Sequence, residues 1–597
     1  MTNQEIAKIL REMAELYEME GVLFKPRAYE KAALGVEALD KEIMEIYKSG
    51  GAGGLMKISG VGQGIAHHLE TMLRGKKFAE YERLKKKIPV NISELTAVEG
   101  VGPKMIKVLY QKLKIKNLKD LEAAAKAGKI RRLARFGQKS EEKILRGIEF
   151  LKKSGGRQVL GFVLPEIRNL ERMIKSFPEV EDAIVAGSTR RRKETIGDID
   201  ILATSKKPTS PSQGGPEKVM DKFVGLPFIA HVYAKGKTKT MVKLKNGLDA
   251  DLRVVPKESY GAALNYFTGS KDHNIALREM AIKRGWKLNE YGLFHSAEQR
   301  RMERRNTPKE KMIAGKTEEE IYKKLGLHYI EPEMRENAGE IELARQNRLP
   351  KLIGYKDLKG DLQTQTNWTD GEDSIEAMAK EAEKLGLEYI AITDHTRSLA
   401  MTGGADEKKL LKQIAEIDKI NHKLKIKNCK LKVLKGAEVN IGKNGSLDIQ
   451  DEVLKKLDVV GAAVHSHFKL PRAEQTRRII KAMENPNVDI IFHLTGRIIN
   501  RREPIEVDID EIIKAAKRTG TVLEIDAYPD RLDIKDEYVR KCVEAGVKMS
   551  IDSDAHSASH FKFLEIGISQ ARRGWATCDD IINAWPLEKM LGLLKGK

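Results

Sequence analysis

Residues 186–205 read AGSTRRRKETIGDIDILATS, and the rest of the chain is best interpreted from this stretch. Asp198 and Asp200 lie two positions apart in an apolar run, so on a strand both carboxylates point to one face while Ile199 and Ile201 point into the core. Two carboxylates at that spacing repel each other unless a cation lies between them, and oxygen ligands of this kind suit Mg²⁺. The stretch therefore predicts a metal-binding strand. Two surface aspartates on an edge strand are the alternative.

Directly upstream, an apolar strand ends at Gly187-Ser188, and a basic cluster of three arginines and a lysine follows. A strand end, a Gly-Ser turn and guanidinium groups suit a triphosphate, whereas a solvated basic loop is the alternative. Taken together, these residues resemble the nucleotidyltransferase motif of the family X DNA polymerases. The resemblance implies that Asp198 and Asp200 bridge two Mg²⁺ ions, and that the triphosphate is held by Gly187, Ser188, Arg191 and Gly197.

A second Asp-x-Asp pair, Asp249 and Asp251, lies in the strand-like run LDADLRVV. Both side chains would share one face of a regular strand, so the spacing alone does not choose between them. The family pattern places the third metal ligand directly before Leu-Arg-Val-Val. The resemblance therefore makes Asp251 the third catalytic aspartate.

Residues 266–270, Tyr-Phe-Thr-Gly-Ser, predict a turn that carries two aromatic side chains before an amphipathic helix. A core aromatic pair at a helix start is the alternative. In the resembling polymerases this turn packs against the sugar of the incoming nucleotide, and the next helix faces the nascent base pair. The resemblance implies nucleotide contacts from Tyr266, Phe267, Gly269, Asn274 and Arg278.

The first 150 residues predict a helical region with repeated glycine hairpins. Gly60-Val61-Gly62 precedes an amphipathic helix, Gly100-Val101-Gly102 repeats the pattern, and a weaker copy surrounds Gly137. This is a helix–hairpin–helix signature, in which glycines permit a tight hairpin whose backbone N–H groups bind a DNA phosphate without reading sequence. Plain helix–helix turns are the alternative. DNA contacts are predicted at Gly60, Gly62, Gly64, Gly100 and Gly102.

His68 bears on a further activity. In lyase-active relatives, the helix after the first hairpin supplies a lysine that attacks the abasic sugar as a Schiff base. His68 falls where that lysine is expected, which argues against 5′-deoxyribose phosphate lyase activity.

From residue 353 helical stretches alternate with short apolar strands, which predicts an α/β barrel-like domain. Its strands end in His, Asp or Glu, where barrels build active sites, and several such ends together favour a metal centre over structural histidines. The stretches TDH, KGAEV, AAVHSH, FHLTGR and DSDAH resemble the PHP phosphoesterase domain. The resemblance implies a trinuclear centre of Mn²⁺ or Zn²⁺ with 3′→5′ exonuclease activity, whose ligands are Asp370, His395, Glu438, His465, His493, Asp554 and His556.

Gln363 and Gln365 depart from that family, because its first motif opens with His-x-His. An amide oxygen is a weak ligand for a transition metal, so one metal site is expected to be lost or weakened while another persists. We therefore expect reduced or absent exonuclease activity, with normal activity and a purely structural barrel as the alternatives.

Composition agrees with a nucleic-acid partner. The chain has 597 residues and a net charge of +21, which predicts several domains and a polyanionic ligand, although a thermostable charged surface is an alternative. Three separated cysteines and the lack of a long apolar run predict a cytoplasmic protein without membrane segments or zinc fingers. We also expect a monomer.

These observations predict a multidomain α+β protein: a helical helix–hairpin–helix N-terminal region, a nucleotidyltransferase palm and a C-terminal PHP barrel. The predicted boundaries are a lyase-like module at 1–90, fingers at 91–150, the palm at 151–258, a nucleotide-selecting subdomain at 259–330, a linker at 331–352 and the barrel at 353–597. We expect a DNA-directed DNA polymerase that fills gaps in primer-template DNA from dNTPs. A phosphoesterase with a polymerase-like DNA clamp is one alternative, and a non-enzymatic DNA-end scaffold is another.

Overall fold

The computed structural model describes the chain except at residues 2, 38, 40, 76–77, 99, 135, 154, 207–214, 297–311, 399–401 and 597. No helix in the described part of the chain has the length and apolar character needed to cross a membrane.

The N-terminal region is helical and has one core. Its helices are α1 (Asn3–Glu20), α2 (Lys25–Glu37), α3 (Ile43–Leu55), α4 (Gln63–Leu73), α5 (Ala79–Lys87), α6 (Ile92–Thr96), α7 (Pro103–Leu113), α8 (Leu118–Lys126) and α9 (Gln138–Lys153), with a 3-10 turn at Ile130–Arg132. Helix α1 packs against α5, α6 and α7, and its buried Ile6 and Leu10 belong to the same apolar cluster as Leu109 and Ile148. The expected boundary at residue 90 therefore does not divide the core.

The palm is a five-stranded sheet of order β2-β4-β7-β6-β5, in which only β4 and β7 pair in parallel. Its elements are β1 (Gln158–Val159), α10 (Leu160–Lys175), β2 (Val180–Val185), α11 (Gly187–Arg190), β3 (Thr195–Ile196), β4 (Asp198–Ser205), α12 (Pro216–Val224), β5 (Ile229–Lys235), β6 (Lys239–Leu244) and β7 (Asp249–Val255).

The described part of the chain resumes at Gly215, and helix α12 begins at the next residue. Residues 208–214 lie outside the described residues, whereas Pro216 to Lys218 begin helix α12. Proline is well suited to this first helical position because its missing N–H has no intrahelical partner there.

The nucleotide-selecting subdomain follows the palm. It contains a 3-10 turn at Lys257–Ser259, α13 (Tyr260–Thr268), α14 (Lys271–Lys283), β8 (Trp286–Asn289), β9 (Gly292–His295), β10 (Met312–Ala314), α15 (Glu318–Lys324), a 3-10 turn at Pro332–Met334 and α16 (Glu340–Arg345). The three strands form one antiparallel sheet.

Residues 331–352 are packed, which contradicts the prediction of an irregular linker. Met334, Ala344 and Leu352 are buried in the core of the nucleotide-selecting subdomain. Arg335 and Glu340 are buried in this unit as well, where Arg335 bonds to Glu318 and Glu340 bonds to His273. The unit therefore extends beyond the expected boundary at residue 330.

The C-terminal domain is a seven-stranded parallel sheet of order β11 to β17. A bridge between Thr364 and Ala555 brings its two edges together into a nearly closed barrel. Its elements are β11 (Gly360–Thr364), α17 (Ile375–Lys384), β12 (Tyr389–Ile392), α18 (Glu407–Ile426), β13 (Lys432–Asn440), α19 (Asp451–Leu454), β14 (Val459–Ala463), α20 (Arg472–Met483), β15 (Ile490–Ile491), α21 (Ile509–Thr519), β16 (Val522–Asp526), α22 (Asp536–Ala545), β17 (Met549–Asp552), α23 (Leu564–Arg573) and α24 (Leu587–Lys595), with 3-10 turns at Ala558–Phe563 and Ile582–Ala584.

All seven strands run in one direction, so their carboxyl ends meet at one mouth. The palm packs on the side of this barrel, because Ile499, Leu532 and Ile566 of the barrel belong to the palm's apolar core.

Candidate active sites

The parallel pairing of β4 with β7 brings the two Asp-x-Asp pairs together. Asp198 lies opposite Asp249, and Asp200 lies opposite Asp251. Ile199, between the first pair, is 1% exposed, so the alternation sends the carboxylates to the opposite face, as the sequence predicted. Burial, followed by the charges of Asp198 and Asp251, raises the pKa of Asp200 to about 6. A cluster with this mutual repulsion is suited to a divalent cation.

Asp249 and Asp251 differ in their surroundings. Asp249 Oδ1 accepts hydrogen bonds from the Tyr233 hydroxyl at 3.1 Å and from Lys243 Nζ at 2.9 Å, and its side chain is half exposed. Asp251 has a less exposed side chain, and its charge contributes to the raised pKa of Asp200. The geometry therefore favours Asp251, the choice that the family pattern made, as the third member of the cluster.

An open cleft of about 420 Å³ lies beside the aspartates. Of the nine residues predicted to bind the nucleotide, every one except Gly197 lines it: Gly187, Ser188, Arg191, Tyr266, Phe267, Gly269, Asn274 and Arg278. Arg157, Lys193 and Lys271 complete a strongly basic lining, which suits a polyanionic ligand. No sequence pattern predicted that Arg157 lines the cleft, because it lies upstream of the motif at 186–205 and only the folded chain brings it there.

Gly187 and Gly197 lie where other residues would not fit well. Gly187 has φ of 61°, and a Cβ there would lie 2.4 Å from Asp200 Oδ2. At Gly197 a Cβ would lie 3.2 Å from Arg157 Nη1, so a side chain there would require Arg157, which lines the cleft, to shift. The Gly187 backbone can therefore approach the aspartates closely.

The arginines of the basic cluster bond mainly to other residues of the fold. Fewer of them than predicted can therefore bind phosphate. Arg190 pairs with Glu318 at 2.6 Å, and Arg192 pairs with Glu565 at 3.1 Å. Arg191 donates to the Thr268 carbonyl and, at 3.2 Å, to Glu336. Arg191 alone of the three arginines lines the cleft, where it is tied to the segment that carries Gly269.

Tyr266 and Phe267 are helical, which corrects the prediction of a turn. They form the last turn of α13, and the chain reverses only at Gly269, which has φ of 73°. The two rings meet edge to face with centroids 5.1 Å apart. Asn274 donates to the Tyr266 carbonyl at 2.7 Å, which ties α14 to this pair and fixes the wall of the cleft.

The glycine hairpins have the predicted geometry. Gly60 and Gly100 adopt φ of 74° and 81°, and Gly62 and Gly102 precede the first residues of α4 and α7. Apart from neighbouring residues along the chain, no atom of the described residues lies within 4 Å of the position that a Cβ would occupy at Gly62, Gly64 or Gly102, so a phosphate can approach these backbones.

His68 is partly buried. Its Nδ1 lies 2.6 Å from the Tyr29 hydroxyl, and its ring packs on Phe78. Burial lowers its pKa. The expected absence of lyase activity stays a prediction.

At the barrel mouth, Glu438 is the centre of a ring of donors. Its Oε1 lies 2.9 Å from His465 Nε2 and 2.8 Å from His493 Nε2, and its Oε2 lies 3.3 Å from His395 Nδ1. Although burial raises the pKa of Glu438, the histidines lower it well below the usual range. The carboxylate is therefore ionised and available to a cation.

Among the residues that the structure describes, two groups of three have ligand atoms within 4.8 Å of one another. One is Asp370, His395 and His556, and the other is His395, Glu438 and His465. His395 Nε2 faces Asp370 at 3.5 Å, whereas its Nδ1 faces Glu438. Their imidazole and carboxylate donors fit a divalent metal, and the buried Nδ1 atoms of His395 and His493 have no hydrogen-bond partner.

Asp554 is a member of neither group, although it lies next to His556. Its Oδ1 is 3.7 Å from His556 Nδ1, and its Oδ2 is 3.5 Å from Arg531 Nε. Gln363 and Gln365, where the sequence predicted a damaged metal site, both donate to Glu438. The predicted ligands thus converge on one mouth, but only five of the seven fall into the two groups.

Comparison with known families agrees with this architecture. A helix-hairpin-helix domain matches residues 1–78, and a SAM-like helix-hairpin-helix tandem matches residues 92–149. The DNA polymerase beta thumb matches residues 263–336, and the PHP domain matches residues 361–584. The thumb match continues past residue 330, as does the core of that unit.

Three individual proteins are similar to this chain to different extents. A probable phosphatase of Thermoanaerobacter sp. (strain X514) is 31% identical over 220 residues, which is 35% of this chain and 83% of that protein. The crystal structure of Leishmania infantum polymerase beta in a ternary P/T complex matches 41% of this chain and 97% of its own, with 23% identity and a TM-score of 0.27. The DNA polymerase/3′-5′ exonuclease PolX of Bacillus subtilis (strain 168) is 35% identical over 599 residues, which covers 100% of both chains.

The PolX match extends over the helical region, the palm, the nucleotide-selecting subdomain and the barrel alike. It confirms the family and the fold class that the sequence predicted. The chain belongs to the family of the DNA polymerase/3′-5′ exonuclease PolX, the family X DNA polymerases that carry a C-terminal PHP domain.

Proposed function

We propose that this chain is a template-directed DNA polymerase that fills short gaps in DNA from dNTPs. The observation that carries the proposal is the placement of Asp198, Asp200 and Asp251 on one face of the sheet, beside a basic cleft bounded by two aromatic side chains. Neither a phosphoesterase that uses the palm as a DNA clamp nor a DNA-end scaffold needs a repelling carboxylate cluster at that place.

The residues divide the work as follows. Asp198, Asp200 and Asp251 would hold Mg²⁺, which when bound neutralises the triphosphate and the oxygens that attack and leave. Ser188 and Arg191 would hold the triphosphate, and Tyr266 and Phe267 would lie against the sugar. Asn274 and Arg278 on α14 would face the base pair, while Gly60, Gly62, Gly64, Gly100 and Gly102 bind the DNA backbone through their N–H groups.

We further propose a weak 3′-5′ exonuclease activity in the barrel. The two groups that share His395 support it, because each offers three donors to a divalent ion such as Mn²⁺ or Zn²⁺. The predicted cytoplasmic location and monomeric state stay predictions.

The test uses a 5′-labelled primer on gapped DNA, incubated with and without dNTPs. With Mg²⁺ and dNTPs the primer should lengthen to fill the gap. With Mn²⁺ alone it should shorten slowly, and His395→Ala should stop the shortening while leaving extension intact. Salt-sensitive binding with no dNTP-dependent extension would instead establish a clamp or a scaffold.

Mg²⁺ binding should depend on pH, because a proton and a cation compete for Asp200. With its pKa raised to about 6, apparent Mg²⁺ affinity should fall about tenfold per pH unit below that value. Folding raises this pKa above the usual 3.8, so the metal-free palm should lose stability as pH rises from about 4 to about 6. Calorimetric Mg²⁺ titrations at several pH values measure the slope. In the matched variant Asp200→Asn affinity should be weak and should lack this pH dependence, and a slope that persists would assign the effect to another group.

A further inference from the structure

Gln363 and Gln365 lie at the carboxyl end of β11 and point at one oxygen atom. Gln363 Nε2 donates to Glu438 Oε2 at 3.1 Å, and Gln365 Nε2 donates to the same oxygen at 2.9 Å. All three side chains are fully buried. The two glutamines therefore serve as hydrogen-bond donors in the middle of the candidate metal centre.

The chemistry of the groups fixes this orientation. Glu438 Oε2 accepts both bonds, and a glutamine amide donates only through its nitrogen, so both Nε2 atoms face Glu438. The Oε1 atoms of Gln363 and Gln365 are buried, and neither has a hydrogen-bond partner among the described residues. To ligate a cation, an amide would have to turn its Oε1 inward and break its bond to Glu438.

The four acceptor sites of Glu438 are used in two different ways. Oε2 accepts from the two amides and lies 3.3 Å from His395 Nδ1, whose other ring nitrogen faces Asp370, while Oε1 faces the ring nitrogens of His465 and His493. A histidine nitrogen can lose its proton to a metal, but an amide NH₂ cannot at any ordinary pH. The Oε2 side of Glu438 is thus closed to a cation, whereas the Oε1 side can open.

Arg531 adds a positive charge to the region of Asp554. Its Nε lies 3.5 Å from Asp554 Oδ2 and 3.6 Å from Asp526 Oδ2. A guanidinium group is not deprotonated in proteins, so Arg531 carries its charge at any working pH. A cation bound to Asp554 would meet like charge at short range.

We infer that the barrel holds at most two divalent cations, confined to the side of Asp370, His395, His465 and His556, and that Gln363 and Gln365 close the remaining position by their bonds to Glu438. In this arrangement the glutamines are positioning residues, because they act on Glu438 and not on substrate. The inference rests on the proposed metal-dependent barrel activity.

The experiment counts bound Mn²⁺ after equilibrium dialysis of the full chain, in a background carrying Asp200→Ala so that the palm contributes little. The starting protein should bind one or two Mn²⁺ at its barrel, and His395→Ala should remove them. Gln363→His combined with Gln365→His should gain one Mn²⁺ per chain, because two imidazoles replace the amides. Should this variant melt early, Gln365→Glu, which has the same shape and adds a carboxylate, should gain one as well.

The possible results are distinguishable. Three Mn²⁺ in the starting protein would mean that the amides ligate through Oε1, and equal counts before and after substitution would mean that the position is not closed by the glutamines. Either result overturns the inference and leaves the proposed exonuclease standing. No Mn²⁺ at the barrel of the starting protein would overturn both.

Discussion

Primer extension is expected to fall by about 10³-fold or more when Asp200 is replaced with alanine, while binding to gapped DNA stays unchanged. Asp200 is partly buried in the carboxylate cluster, and its pKa is raised by burial and then by Asp198 and Asp251. A metal ion stabilises charge in such transfers by several kcal/mol, and a loss of about 4 kcal/mol corresponds to about 10³ in rate. Single-turnover extension measures the loss, and fluorescence anisotropy with labelled gapped DNA measures the binding.

Asp249→Ala is the matched control. Asp249 lies on the same strand face as Asp251, but its carboxylate is bonded to Tyr233 and Lys243. Its replacement should change extension by less than about tenfold, which is under about 1.4 kcal/mol. A large loss with Asp249→Ala and a small one with Asp251→Ala would reverse the assignment of the third ligand. Retained extension in Asp200→Ala would contradict the polymerase site itself.

The sequence predicted this site well because its chemistry is local. Asp198 and Asp200 needed only the strand period to share a face, and the apolar residues between them announced the strand. The pairing of β4 with β7 was long-range, so the choice between Asp249 and Asp251 came from the family pattern and not from spacing. Arg157 and Lys271 could not be predicted, since their place in the cleft depends on how separate elements pack.

Other errors arose where local signals disagreed with tertiary packing. Tyr266 and Phe267 precede Gly269-Ser270, and that glycine suggested a turn that begins earlier than the one in the structure. In the barrel, β11 ends at Thr364, between the two glutamines, and the sequence there was interpreted only as a departure from the family motif and not as a strand. The mutual contact of Gln363, Gln365 and Glu438 joins strands β11 and β13, which no sequence pattern reveals.

The two sites are also connected through the chain. Arg27 of α2 donates to the Asp370 carbonyl at 3.0 Å, and Ser59 donates to Glu372 at 2.9 Å, so the helical region lies over the loop that carries a barrel ligand. On the other side, Arg573 of the barrel donates to the carbonyl of Arg191 in the nucleotide cleft at 2.9 Å. The polymerase part and the barrel are therefore packed against each other. They are in contact both near the barrel mouth and near the nucleotide cleft.

Arg335 forms several contacts that hold the segment 331–352 in the fold. It lies in the segment 331–352 that was predicted to be a linker, yet its side chain is fully buried. Its Nη1 donates to Glu318 at 2.5 Å, its Nε donates to the Ile330 carbonyl at 2.9 Å, and its guanidinium lies 5.3 Å from the rings of both Tyr322 and Tyr329. Because Glu318 also binds Arg190, this network joins the segment to the basic cluster of the palm.

Arg335→Met should destabilise the nucleotide-selecting subdomain by about 3–5 kcal/mol, because removing one partner leaves a buried carboxylate without half of its compensation. Hydrogen exchange measured by mass spectrometry on peptides from α13 to α16 should then show opening about 10²–10³ times faster or more, while the barrel peptides stay protected.

Arg345→Met is the matched control in the same segment. Arg345 is exposed, and among the described residues its ion-pair partner is Glu342 at 3.0 Å. This variant should change stability by less than about 0.5 kcal/mol. Equal exchange in the two variants would mean that residues 331–352 act as a linker after all. A local loss around α13 and Gly269 would instead establish that this segment supports the nucleotide cleft, because Ser270 N–H donates to the Arg335 carbonyl at 3.0 Å.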